Sequence, residues 1–112
     1  MSKLIFVDFD KTLSTGEGEP HWVDPLDDEP REDMIELVNN LFKKGCTIVV
    51  YTARDEDYRE ETEYFLKKWD LMYHALRMEK PGFDLLIDNR AMSHMDALDK
   101  NADEIIDGLP EF

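Results

Sequence analysis

Residues 4–9, LIFVDF, form a near-continuous apolar run, the pattern of a strand buried on both faces of a parallel sheet. From 14 to 30 the chain turns polar and carries Gly16, Gly18, Pro20, Pro25 and Pro30, which predicts a loop or short hairpin. Pro30 then suits a helix start, with Glu32 and Asp33 in the first turn. Met34, Ile35, Leu37, Val38, Leu41 and Phe42 make one apolar stripe at helical spacing, closed by Lys43, Lys44 and Gly45. CTIVVYT is a β-branched second strand ending at Thr52. Asp55 or Asp57 is placed to cap a second helix, with Tyr58, Phe65, Leu66 and Trp69 facing inward. A short strand is expected near 73–76, and after the turn KPGFD another apolar strand, LLID, ends at Asp88. HMDALDKNADEIIDGL predicts a last helix, with 110–112 frayed.

Alternating strands and helices predict an α/β fold, a Rossmann-like three-layer sandwich with a mostly parallel sheet and right-handed crossovers. At 112 residues, 42% of them hydrophobic, the chain suits one domain over 1–112 with its own core. Ligands in such folds bind beyond the carboxyl ends of the strands. Asp8, Asp10, Thr52 and Asp88 all fall at predicted strand C-termini, so residues remote in sequence would converge on one edge of the sheet.

Charge narrows the partners. The formal net charge is −14, from 27 acidic and 13 basic side chains, which repels nucleic-acid phosphates at long range and reads first as a solvated acidic surface. Nucleic acid is therefore not expected to bind, except as a substrate presenting one terminal phosphate. The single cysteine, Cys46, opens an apolar run and is expected to be a buried, inert thiol. LIFV is too short for a signal peptide, and no apolar stretch reaches membrane-spanning length, so a cytoplasmic setting is expected.

Asp8 and Asp88 would bring carboxylates together in a partly dry pocket, where a proton or a cation must relieve the repulsion. Oxygen ligands of this kind favour Mg²⁺, which binds few carboxylates and keeps several waters. Lys80 adds a positive charge and Thr52 a hydroxyl donor, a combination that suits a phosphoryl group. If the strand continues through Phe9, Asp10 shares the side of Asp8; if it turns there, Asp10 leans over the site from the loop. With a cation keeping Asp8 ionised, Asp8 would attack phosphorus, while Asp10 protonates the departing alcohol and later deprotonates water.

DFDKT, YTAR, KPGFD and IDNRA, in this order, resemble the motifs of the haloacid dehalogenase superfamily of phosphohydrolases over residues 3–92. The resemblance implies Asp8 as nucleophile, Asp10 as acid/base, Thr52 and Lys80 as the second and third motifs, and Asp88 with Asn89 in the fourth. It implies Mg²⁺ held by Asp8, Asp10, Asp88 and Asn89, with Thr12 beside the substrate. The spelling is similar to a small, minimally capped branch that includes capsule-biosynthesis-type and polynucleotide-kinase-associated phosphatases. That branch usually pairs acids in the fourth motif, whereas here Asn89 follows Asp88, so weaker metal affinity or reduced activity is expected.

No cap domain is expected. The interval 13–29 leaves at most a flap, containing His21 and Trp22, which either contact substrate or anchor the flap. An open pocket admits a bulky substrate end, or a partner subunit as lid in a homo-oligomer. Arg54 is expected at the mouth, contacting substrate or pairing with Asp55 or Asp57, and Arg90 braces the fourth-motif turn. His74 and His94 lack ligand partners at metal spacing and read as structural. Three rival readings remain: a weak or inactive binding protein of the same fold, a phospho-accepting receiver, and an acidic decoy for basic partners. In a receiver the acidic pair comes first and the phosphorylated Asp ends a later strand, an order this chain lacks.

Overall fold

The computed structural model describes residues 3–16, 24–81 and 85–109. Its elements run β1 (Leu4–Asp8), α1 (Glu32–Lys43), β2 (Thr47–Tyr51), a 3₁₀ turn (Glu56–Tyr58), α2 (Arg59–Lys68), β3 (Ala75–Arg77), α3 (His94–Leu98) and α4 (Ala102–Asp107). The three strands form one parallel sheet in the order β1-β2-β3, and the whole is a Rossmann-like α/β fold. α1 crosses from β1 to β2, and α2 from β2 to β3, which sets the carboxyl ends of all three strands side by side.

Side-chain alternation and register explain the core. Ile5 pairs Ile48, Val7 pairs Val50, and Val50 pairs Leu76, so these five share one face. That face packs with Met34, Ile35, Leu37, Val38 and Leu41 of α1, Phe65 and Leu66 of α2, and Ala102 and Ile105 of α4. The other face carries Leu4, Phe6, Val49 and Tyr51. There Leu4 is 62% and Phe6 48% exposed, so β1 is not buried on both faces as its apolar run predicts. Among the described residues β1 is an edge strand, and one side of its pleat reaches solvent.

α1 forms where the apolar stripe predicts. Acidic Glu32 and Asp33 open it, Lys43 closes it, and Gly45 reverses the chain at φ 96°, a left-handed conformation that glycine adopts without strain. Before it, Ser14 bridges Pro30 in antiparallel fashion and Thr15 N–H donates to Glu29 C=O at 2.9 Å, so the base of the flap is a short hairpin stub.

Three elements depart from the pattern. Residues 85–88 form no strand; Leu85 is 74% and Ile87 88% exposed, because a strand exists only through its ladder and these backbone groups have no strand partner among the described residues. The last helix is two, since Asn101 takes an extended ψ of 174° and closes a capping box with Glu104, which starts a new helix rather than continuing the old one. Neither Asp55 nor Asp57 caps α2 through its side chain. Asp55 leads the 3₁₀ turn with no side-chain capping bond, Asp57 lies within that turn, and Tyr58 is 42% exposed rather than inward. The expected fraying at 110–112 lies outside the described residues.

Candidate active site

Asp8 is the last residue of β1, and the ladder runs one step further, Phe9 N–H donating to Tyr51 C=O at 3.2 Å. Phe9 C=O then accepts from the N–H groups of Thr12, Leu13 and Ser14 at 3.3, 3.0 and 3.2 Å. This tight turn, with Lys11 at φ 61°, coils the chain over the strand end and carries Asp10 with it. Of the two placements the sequence left open for Asp10, the turn at Phe9 is the one observed. Beyond β2, Thr52 N–H donates to Arg77 C=O at 2.9 Å, Glu79 N–H to Arg54 C=O at 2.7 Å and Lys80 N–H to Thr52 C=O at 3.0 Å. Backbone bonds therefore fix the origins of Thr52, Arg54 and Lys80 on the same edge.

Each carboxylate meets a different cation. Lys80 Nζ donates to Asp8 Oδ1 at 2.7 Å, and Thr12 Oγ1 to Asp8 Oδ2 at a longer 3.4 Å. Arg54 Nη2 and Nε donate to Asp10 Oδ1 at 2.6 and 3.0 Å, and Nε reaches Oδ2 at 3.2 Å. Thr52 Oγ1 donates to Asp10 Oδ2 at 3.0 Å while accepting from Arg54 N–H at 3.2 Å. The Asp8 side chain is 36% exposed, that of Asp10 18% and that of Arg54 1%. Asp8 is thus the open carboxylate, with a weakly engaged oxygen, and Asp10 the enclosed one.

Aromatic rings hold the cations. Lys80 Nζ stands 3.9 Å from the Tyr51 ring centroid, and Phe6 abuts Tyr51 edge-on at 5.5 Å. The Arg54 guanidinium lies 5.8 Å from the Phe9 ring and 5.7 Å from that of Tyr58. Sequence reasoning missed Tyr51, although its register opposite Asp8 puts both side chains on one face. Arg54 was expected at the mouth, against substrate or in a surface pair with Asp55 or Asp57. It is instead buried against Asp10, because the turn at Phe9 swings that carboxylate into its reach.

Asp8, Asp10, Thr12, Thr52, Arg54 and Lys80 are thus brought together. Asp88 and Asn89 are not: both are exposed, and Asp88 Oδ1 accepts from Arg90 N–H at 2.7 Å, closing its own turn. Among the described residues no three His, Cys, Asp or Glu side chains are grouped to hold a metal ion. His21 and Trp22 lie outside the described residues. A surface hollow of about 390 Å³ beside α1 is lined by Ile35, Asn39 and Trp69 among others, and by none of the six.

For a hard divalent cation, the chemistry of the donors fits at one place. Both Asp10 oxygens are taken by Arg54 and Thr52, whereas Asp8 Oδ2 has only the long hydroxyl contact and keeps lone pairs for a cation that binds few carboxylates. The remaining titratable candidates are structural. Cys46 is buried, and burial pushes its thiol above the ordinary value, away from thiolate reactivity. His74 Nδ1 accepts from Ile48 N–H at 3.0 Å and its ring stacks on Phe42 at 4.6 Å, so it supports the start of β2.

No family model and no curated protein matches the chain. Solved structures do. A structural-genomics target from Vibrio cholerae superposes with a TM-score of 0.77 at 28% identity, covering 94% of each chain. A chain of the Pnkp1/Rnl/Hen1 complex matches at 0.62 and 27% identity, covering 79% of this chain and 31% of that one. A second structure of that assembly, an RNA repair complex, matches at 0.61 and 25% identity over 69% of this chain. This chain spans about a third of the first of those repair-complex chains and a quarter of the second. Among the described residues, no helix is long and apolar enough to cross a membrane.

Proposed function

We propose that this chain is a Mg²⁺-dependent phosphomonoester hydrolase of the haloacid dehalogenase type, working through an aspartyl-phosphate on Asp8. The observation that carries the reading is the unequal pair at the end of β1. Asp8 is open, with one weakly engaged oxygen, and Asp10 is enclosed and held on both oxygens. A nucleophile must reach phosphorus, and an acid/base must be fixed beside the leaving group; the two environments suit those tasks.

Asp8 attacks phosphorus with one carboxylate oxygen, leaving the other for the cation, and the bond to the leaving oxygen breaks, with Asp10 supplying the proton that the alcohol needs. Water then attacks the acyl-phosphate, Asp10 takes its proton, and Asp8 returns as a free carboxylate with release of inorganic phosphate. Lys80, Thr12 and Thr52 carry donors near the two carboxylates that suit the phosphoryl oxygens. Bound Mg²⁺ supplies the positive charge that lets an anionic phosphoryl group approach a carboxylate. Asp8 would hold it, with Asp88 and Asn89 the other oxygen ligands proposed, since Arg54 and Thr52 take both Asp10 side-chain oxygens. Likeness to part of an RNA repair complex supports a substrate whose phosphate ends a nucleic acid, and a chain of net charge −14 tolerates that better than a polynucleotide track.

A second reading is a phosphate- or metal-binding protein with little turnover, favoured by Asn89 in the fourth motif and by Asp88 standing apart. A panel of phosphomonoesters, including 3′- and 5′-phosphorylated oligonucleotides, decides between them when assayed in Mg²⁺ and then in EDTA. Turnover lost in EDTA and in Asp8→Asn, with an unchanged melting temperature, is the expected result. No turnover of any ester, with Mg²⁺ still bound, would give the binding reading the field.

A further inference from the structure

Arg54 is a fully buried cation: its side chain is 1% exposed, its guanidinium faces Asp10, and the rings of Phe9 and Tyr58 lie against it. A guanidinium is planar, and its donors leave in fixed directions. With Nε and Nη2 both directed at one carboxylate, it sets the plane of that carboxylate as well as its charge balance. The rings of Phe9 and Tyr58 restrict the guanidinium from two sides, and Arg54 N–H is tied to Thr52 Oγ1, the same hydroxyl that donates to Asp10. Arg54, Thr52 and Asp10 therefore close a ring of hydrogen bonds.

We infer that Arg54 is a positioning residue for Asp10, aiming its carboxylate through a two-pronged ion pair, and takes no part in holding substrate. This rests on the acid/base role proposed above for Asp10. Nη2 and Nε both bind Asp10 Oδ1, and Nε also reaches Oδ2, so the guanidinium holds the carboxylate on both oxygens.

The kinetic test compares Arg54→Lys and Arg54→Ala with wild type on the ester it turns over fastest. Misaiming a reacting group by an ångström costs about 100-fold, so kcat is expected to fall by about that factor in both variants with KM little changed. Lysine keeps the charge and loses the fork, so a wild-type kcat in Arg54→Lys overturns the proposal. A raised KM with unchanged kcat also overturns it and returns Arg54 to substrate binding. Guanidinium ion added to Arg54→Ala should refill the slot between the rings and restore part of kcat, but not in Asp10→Asn/Arg54→Ala. A second readout needs neither turnover nor a stable variant at Arg54. A downfield, slowly exchanging Arg Nε–H resonance is expected in wild type and should be lost in Asp10→Asn; its absence from wild type overturns the pairing. If wild type hydrolyses no ester while that resonance is present, the hydrolase reading fails and the Arg54–Asp10 pair stands.

Discussion

Two carboxylates two residues apart would repel if both stayed ionised without partners. The sequence suggested relief by a bound cation, and the chain also carries its own relief, an ammonium on Asp8 and a guanidinium on Asp10. The buried pair is the more consequential. Leaving a buried charge unpaired costs about 3–5 kcal/mol, whereas a half-exposed pair such as Asp8–Lys80 is screened by solvent and worth less. Thr52 is fully buried and serves both sides of the Asp10 ion pair. Thr52→Val keeps the shape and removes the hydroxyl that Arg54 N–H and Asp10 share, so urea unfolding should show a loss of about 1–3 kcal/mol. Cys46, pushed toward the thiol form by burial, should react with an alkylating reagent only as the chain unfolds, with a rate that follows denaturant.

At the scale of elements, local signals succeeded where their partners are local. α1 was read from its own stripe and charges, whereas the capping box of Asn101 and Glu104, with reciprocal bonds of 2.9 and 3.3 Å, is equally local and splits the single last helix that the pattern predicts. Asn101→Ala should cost about 1 kcal/mol in stability and speed amide exchange across 102–107 first. The 3₁₀ turn before α2 is tied by Arg59, which donates to Glu56 at 2.7 Å. That hydrogen bond, and then the charge of Arg59, hold the Glu56 carboxyl below its ordinary value of 4.5. A depressed folded value gives stabilisation that is full above 4.5 and lost as pH falls through the folded value. Protection factors at 56–60, with the intrinsic exchange rate divided out, should therefore fall only once the medium is more acidic than 4.5. Residues 85–88 are the opposite case. Their apolar pattern names a strand, but a strand is made by a neighbour's backbone, and none of those described supplies it.

The described residues share one core on one face of a small sheet, and the radius of gyration is 13.7 Å, close to the roughly 13 Å expected of a compact chain this long. Around that core sits a net charge of −14, which repels itself at every distance the solvent leaves unscreened. Raising salt from about 0.01 M to about 1 M shortens the screening length from roughly 30 Å to roughly 3 Å. The melting temperature should rise over that range, most steeply at its low end, and calorimetry with NaCl reads this directly. A fall instead would mean that the internal ion pairs at Asp8 and Asp10 outweigh the surface repulsion.

Alternation of strand and helix, the α1 stripe and the short spacing of DFDKT were legible in the sequence alone, because each depends on contacts within a few residues. So was the meeting of Asp8, Asp10 and Thr52, since parallel crossovers place strand ends together; Asp88, expected in the same convergence, stands apart because 85–88 form no strand. Which cation serves which carboxylate was decided only in three dimensions. The turn at Phe9 delivers Asp10 to Arg54, 44 positions away, and the register of β1 on β2 sets Tyr51 beside Asp8 and beneath Lys80. No periodicity encodes such pairings, because they depend on where separate segments finish relative to one another.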